Sequence, residues 1–203
     1  MRTFYKIDPS LYIEKLDQIM DLPRVIRVNE FDEESLEKFE RDMDIAHLSK
    51  QPVIPIVVDS YGGSAYGCLG FMAAIESSKK PVATILTSKA MSAGAIVFCF
   101  GTEGYRFMHP HASIMIHDIG STIGGKIEEI KVDARHLDDM NNAIYKRVSR
   151  HLGHDSNYIG ELIKQNRHAD WHLTAKDAKK HNVANHLRIP NFEVEISLRV
   201  SFE

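Results

Sequence analysis

Residues 81–101 read PVATILTSKAMSAGAIVFCFG and hold one unit of a pattern that recurs along the chain. The apolar run PVATILT is typical of a strand buried on both faces, and AGAIVFCF predicts a helix that begins among small residues. A second unit lies upstream, where the apolar strand VIPIVVD is followed by a glycine-bearing turn and the helical segment CLGFMAAIESS. Strand, turn and helix in this alternation predict an α/β domain with a largely parallel sheet.

The flanking segments complete the expected order of elements. RVIRV predicts a short strand, and Asp32 predicts the cap of a helix. That helix has one apolar face, formed by Leu36, Phe39, Met43 and Ala46. GYRFMHPHASIMIH predicts two short strands around a turn at Pro110. Apolar residues at helical spacing predict a long helix over 126–152, ended by Gly153, and two shorter helices follow in SNYIGELIKQN and TAKDAKKHN.

We interpret residues 1–203 as one domain with a core at 24–189. In the N-terminal segment, residues 1–23, Asp8 and Pro9 predict the start of a helix. In the C-terminal extension, residues 190–203, apolar and polar side chains alternate without interruption from 192 to 202. This alternation predicts an added half-buried β-strand.

Composition narrows the class of protein. The chain is 43% hydrophobic and 26% charged, as in ordinary globular proteins, and its net charge of −3 argues against a nucleic-acid or anionic-membrane partner. No apolar run approaches the roughly 20 residues of a membrane span. Cys68 and Cys99 lie among apolar and small residues, so we expect two buried, inert thiols. We expect the protein in the cytoplasm.

Ser92 allows two interpretations. It lies between Met91 and Ala93 where a predicted strand gives way to a helix, the setting of a nucleophile elbow, but Ala90 replaces the first glycine of G-x-S-x-G. A serine that merely caps the helix is the commoner case. The stretch alone therefore favours the cap.

The turn SYGGSA adds a second candidate group. Gly62 and Gly63 follow a buried strand, and such a turn leaves backbone N–H groups free to bind an oxyanion. The Gly63 and Ala93 N–H groups together could form such an oxyanion-binding site, called an oxyanion hole. The alternatives are a turn that serves only the sheet topology and a phosphate cradle, which lacks the Lys-Ser/Thr of a Walker loop.

A histidine could supply the base. His117 ends the segment SIMIH, at the edge of the sheet where sites in parallel sheets gather. Most unpaired histidines are structural. A zinc site is the other alternative, but the spacing of His109, His111 and His117 does not fit a metal hydrolase, and we expect no metal.

Four motifs in order resemble a known family. DSYGG, MSAGA, GYRFMHPHASIMIH and NRHADWHLTAKDA resemble landmarks of the Clp protease proteolytic subunit, the ClpP-type serine peptidases, over roughly residues 24–189. The resemblance implies a ClpP/crotonase-like fold of stacked strand–turn–helix repeats, with helix 126–152 as a projecting handle. It also implies Ser92 as nucleophile, His117 as general base, Asp170 as the group orienting the imidazole, and Gly63 and Ala93 as oxyanion donors.

The resemblance further implies a self-compartmentalising serine endopeptidase. Its subunits would form heptameric rings, paired into a tetradecamer, and would cleave peptides and proteins. The enzyme would need no cofactor of its own, because ATP would be used by a separate Clp-type unfoldase. The alternative is a catalytically inactive or crotonase-like scaffold subunit.

Several residues depart from the family pattern. Tyr61 stands where a proline usually precedes the two glycines, and Ala93 replaces a methionine. Asp118 and Ile119 follow the histidine where the family has glutamine and proline. The capped N-terminal helix replaces the family's axial loops, so docking of an unfoldase there does not carry over. Asp118 itself is not expected to replace Asp170, because adjacent strand residues point to opposite faces.

Overall fold

The structure, a computed structural model, describes residues 23–191. Its strands are β1 (Ile26–Val28), β2 (Ile54–Ser60), β3 (Val82–Met91), β4 (Arg106–Met108), β5 (Ser113–Ile116) and β6 (Trp171–Leu173). Its helices are α1 (Glu33–Leu48), α2 (Ala65–Glu76), α3 (Ala93–Cys99), α4 (Ile127–His151), α5 (Tyr158–Gln165) and α6 (Ala175–Lys180). The predicted N-terminal helix and the predicted strand 192–202 lie outside the described residues.

The six strands form one sheet in the order β1–β2–β3–β5–β6, with β4 also paired to β3. Every pairing is parallel except that of β5 with β6. The prediction of a mixed α/β fold with a largely parallel sheet is therefore confirmed. β3 is the longest strand: Thr84–Leu86 pair with β4, and Lys89–Met91 pair with β5. The carboxyl ends of β2, β3 and β5 consequently meet at one edge of the sheet.

Local signals predicted α1 correctly. Asp32 is its N-cap: the carboxylate accepts a hydrogen bond from the Ser35 N–H, and the Ser35 hydroxyl accepts one from the Asp32 N–H. Phe39, Met43 and Ala46 of the predicted apolar face are buried. This face packs α1 onto the core beside α2, where the rings of Phe39 and Phe71 lie 4.5 Å apart between centroids.

Other boundaries differ from the prediction. β3 continues to Met91, past the apolar run PVATILT, because its last residues pair with β5 even though Thr87 and Ser88 are exposed. α2 begins at Ala65, before the apolar run CLGFMAAI, because Ser64 caps it. β6 was not predicted, since three residues are too short for a periodic pattern to be seen.

The long helix α4 divides into two halves. Gly153, at φ +80°, follows it in the left-handed conformation that ends many helices, as predicted. Ile144 and Val148 in its second half are buried in the core. Ile127, in the first half, is 72% exposed. The first half of the predicted apolar face is thus only partly covered by the described part of the chain, since Ile130 and Leu137 are half-buried there.

Both cysteines are free and buried, as predicted. Burial raises the pKa of each thiol to about 12. They are therefore protonated and unreactive at neutral pH. Among residues 23–191, no helix combines the length and the apolar character needed to cross a bilayer.

Candidate active site

Ser92 lies at the turn between β3 and α3 in a strained backbone conformation. Its φ is 54° and its ψ is −123°. A positive φ is uncommon for a residue with a Cβ and costs on the order of 1–3 kcal/mol, so the surrounding structure must hold it. One such restraint is the hydrogen bond from the Ser92 N–H to the Met115 carbonyl of β5, at 2.8 Å. The conformation is that of a sharp strand-to-helix elbow.

The capping interpretation of Ser92 does not hold. A capping serine has an extended backbone and accepts a hydrogen bond at its side-chain oxygen from the first helical turn. Ser92 has a positive φ and makes no such side-chain bond, although its carbonyl accepts from the N–H groups of Ala95 and Ile96. Within residues 23–191, its hydroxyl has no hydrogen-bond partner. The favoured expectation from the stretch alone was wrong, because tertiary contacts set the backbone here.

The glycine turn packs directly against Ser92. Gly62 has φ +107°, and a Cβ added there would lie 2.7 Å from the Ser92 Cβ and 3.2 Å from its Oγ. The Gly62 N–H is engaged, since it donates to the Ser60 hydroxyl at 2.9 Å. In the described part of the chain, the Gly63 and Ala93 N–H groups donate no hydrogen bond to protein. Neither N–H group is therefore engaged by another described residue, and Gly62 in the same turn packs on Ser92.

The sheet brings His117 and Asp170 to the same edge. In the β5–β6 ladder Ile114 pairs with Leu173 and Ile116 pairs with Trp171. His117 directly follows the last paired residue of β5 and Asp170 directly precedes the first paired residue of β6, so the two residues leave the sheet at the same edge. On the other side of β5, Met91 pairs with Met115, so Ser92 follows directly beside the end of the strand.

Ser92, His117 and Asp170 all lie at this edge of the sheet, but their side chains are not hydrogen-bonded to one another in the described residues. Over residues 23–191, no hydrogen bond is made by the Ser92 hydroxyl, the His117 ring or the Asp170 carboxylate. His117 is half-buried and Asp170 is exposed. Asp118 is held elsewhere: it accepts from the Tyr145 hydroxyl at 2.9 Å and from His168 Nδ1 at 2.7 Å. Since β5 ends at Ile116, strand alternation does not set the direction of the Asp118 side chain. Its hydrogen bonds to Tyr145 and His168 do so instead.

An aromatic and a charged residue lie at the rim of the glycine turn. Tyr61 is 79% exposed, and the Lys89 ammonium lies 4.4 Å from the centroid of its ring. Lys89 also forms an ion pair with Asp59 at 2.8 Å, and this hydrogen bond raises its pKa. Tyr61, which stands where the family usually has a proline, therefore adds an aromatic ring beside the turn that contacts Ser92, and Lys89 adds a cation there.

The histidines do not assemble a metal centre in the described chain. His109 and His111 are neighbours, with ring centroids 5.6 Å apart and the His111 N–H donating to His109 Nδ1. Residues 23–191 contain no group of three or more histidine, cysteine, aspartate or glutamate side chains placed to hold a metal ion.

Comparison with known proteins assigns the family. The family model described as Clp protease matches residues 14–188. The chain is 29% identical over 136 residues to an ATP-dependent Clp protease proteolytic subunit of Bacteroides thetaiotaomicron, covering 67% of this chain and 60% of the relative. It is 29% identical over 133 residues to a proteolytic subunit 1 of Bifidobacterium longum, covering 65% and 55%. The matches thus span less than two thirds of these relatives. Since the family model covers most of the chain, the chain belongs to the Clp protease family.

Proposed function

We propose that this protein is a serine endopeptidase whose nucleophile is Ser92. The observation that carries the proposal is the elbow: a serine with positive φ, a free hydroxyl and free N–H groups of Gly63 and Ala93 nearby. A serine that served only the helix would cap it. Membership of the Clp protease family supports the same chemistry.

His117 and Asp170 complete the proposed machinery. His117 would remove the Ser92 proton as the oxygen attacks a peptide carbonyl, and would return it to the leaving amine. Asp170 would fix the imidazole tautomer and stabilise its protonated form. The negative oxygen of the tetrahedral intermediate would be bound by the Gly63 and Ala93 N–H groups. Water activated by His117 would then hydrolyse the acyl-enzyme.

A second candidate is an inactive or crotonase-like scaffold subunit. The specific observation in its favour is the missing set of hydrogen bonds among Ser92, His117 and Asp170 in residues 23–191. The same observation fits an enzyme whose side chains close on one another only after assembly or substrate binding, since catalytic hydrogen bonds are often long before the substrate arrives. The neighbouring positions of His117 and Asp170, directly after β5 and directly before β6, support the enzyme.

Covalent labelling separates the two candidates. A fluorophosphonate probe is expected to label the purified protein, and Ser92→Ala is expected to abolish labelling. Ser88→Ala is a matched control, because this nearby serine of β3 is exposed and lies before the elbow. Correctly folded protein that is not labelled at Ser92, alone or with a Clp-type unfoldase, would favour the scaffold.

We further propose that the subunits assemble into two stacked heptameric rings enclosing the sites. The first half of α4 supports this, because the exposed side chains of Ile127 and Val132 offer apolar surface that a partner subunit could cover. The relatives carry names that specify ATP-dependent proteolytic subunits. A separate unfoldase would supply the ATP-driven step, and the chain itself would need no cofactor. Alone it would cleave short peptides.

A further inference from the structure

Asp118 is the centre of a small polar cluster that the proposed chemistry does not use. One carboxylate oxygen accepts from the Tyr145 hydroxyl at 2.9 Å, and the other accepts from His168 Nδ1 at 2.7 Å. Burial, aided by the bond to Asp118, raises the pKa of Tyr145, so its hydroxyl keeps its proton and donates. In both contacts the Asp118 carboxylate is the acceptor, with His168 Nδ1 as the donor on one side and the Tyr145 hydroxyl on the other.

This cluster joins three segments that must be in register for the proposed triad to work. Asp118 directly follows His117 at the end of β5. His168 precedes Asp170 by two residues. Tyr145 belongs to the second half of α4, which is anchored in the core. A further bond, from the Ile119 N–H to the Asn141 side-chain oxygen at 2.9 Å, ties the same segment to α4.

The loop that carries His168 is under local strain. Arg167 and His168 have φ values of +58° and +57°, a conformation that side chains with a Cβ rarely adopt. Two such residues in succession reverse the chain after α5. Within the loop, the Asn166 side chain donates to the carbonyls of Ala169 and Asp170. The contact of His168 with Asp118 is the hydrogen bond that connects this strained turn to the end of β5.

We propose that Asp118, Tyr145 and His168 form a latch that positions His117 opposite Asp170. The latch rests on the proposed function, since it acts through the triad and touches no substrate. With the latch closed, the backbones of the two residues are held next to the last pair of the β5–β6 ladder, Ile116 and Trp171. Asp118 and His168 are therefore positioning residues. They replace the ladder bonds that the short strands cannot supply.

The cluster borders a cavity of about 340 Å³ between α4 and α5. Its wall also holds Asp138, a carboxylate on α4 that takes no part in the hydrogen bonds joining Asp118, Tyr145 and His168. Asp138→Ala is therefore a matched control. It removes a carboxylate from the same cavity and leaves Asp118, Tyr145 and His168 in place.

The test compares peptide hydrolysis and probe labelling in wild type, Asp118→Ala, Asp118→Asn and Asp138→Ala. Loss of the latch is expected to lower kcat and the labelling rate at Ser92 about tenfold to a hundredfold, with KM nearly unchanged, since misplacement by about 1 Å costs that much. Asp118→Asn should recover most of this loss, because its oxygen accepts from His168 while its amide donates to Tyr145. Asp138→Ala should match wild type.

The outcomes separate the latch from the function on which it rests. If wild type is labelled at Ser92 and folded Asp118→Ala is labelled equally fast, the latch is refuted and the peptidase stands. If Asp118→Asn loses as much kcat and labelling rate as Asp118→Ala, the positioning role is refuted. A change in KM alone would also refute it. A folded wild type that is not labelled refutes the peptidase, and the latch with it.

Discussion

Replacing Gly62 with alanine tests whether the glycine turn and Ser92 form one unit. The added Cβ would lie 2.7 Å from the Ser92 Cβ and 3.0 Å from the Met91 carbonyl oxygen, whereas ordinary van der Waals contact begins at 3.4 Å. Ser92 or the turn must therefore give way by about 0.7 Å. Neither neighbour is the end of a flexible side chain, so the displacement falls on the elbow backbone.

Two effects are expected, and their sizes differ. The positive φ at Gly62 costs an alanine on the order of 1–3 kcal/mol of folding free energy, independent of function. The displacement of Ser92 relative to the Gly63 and Ala93 N–H groups is expected to reduce the labelling rate about tenfold to a hundredfold, because catalytic geometry tolerates little misplacement.

Gly104→Ala provides the matched control. Gly104 also has a positive φ, +84°, but a Cβ there would have no atom within 4 Å. It precedes β4, whose Arg106 pairs with Thr84 near the start of β3, at the end of that strand remote from Ser92. Both variants should lose stability in urea unfolding, Gly62→Ala more than Gly104→Ala because of the added overlap with Ser92, and only Gly62→Ala should lose labelling. If folded Gly62→Ala is labelled as fast as Gly104→Ala, the turn does not shape the site and the oxyanion proposal fails.

Two further predictions concern assembly and the C-terminal extension. Ile127→Glu should leave subunit folding nearly unchanged, since Ile127 is 72% exposed, but should shift sedimentation toward smaller species; an unchanged sedimentation coefficient would contradict an interface at the first half of α4. Truncation after Pro190 should lower solubility and the thermal midpoint. The six apolar side chains of residues 192–202 are each worth roughly 1.5–3 kcal/mol on burial, so we expect them to pack on a folded apolar surface, and truncation would expose that surface to water. A shortened protein with unchanged solubility, ring size and midpoint would contradict this.

Features encoded by neighbouring residues could be predicted from sequence. Asp32 and Ser35 make a capping box within one turn, and Phe39 and Met43 repeat at helical spacing, so the start and buried face of α1 follow from local chemistry. The continuous apolar sequence of β2 likewise predicts a strand that is buried on both faces of the sheet. These features depend on residues that are close together in the chain, so a sequence pattern is enough to predict them.

Features set by distant pairings could not be predicted in the same way. β6 has three residues and exists because it pairs with β5, more than fifty positions earlier. The same long-range pairing brings the segment before β6, with Asp170, to the end of β5, so composition and spacing alone carried no signal for Asp170, which came only from the family resemblance. The cluster around Asp118 was missed for a related reason: Tyr145 and His168 are 27 and 50 residues away.

Ser92 shows how the long-range contacts overrule the local ones. The segment MSAGA suits a capped helix, and the cap conformation would avoid the cost of a positive φ. The observed elbow forgoes that local stabilisation, and its backbone is held by the Met115 carbonyl on one side and bordered by Gly62 on the other. The hydroxyl is thereby kept from the first helical turn and left without a partner in the described chain. The elbow therefore accepts the cost of a positive φ and leaves the Ser92 hydroxyl partly exposed beside the glycine turn, which supports the proposal that Ser92 is a nucleophile.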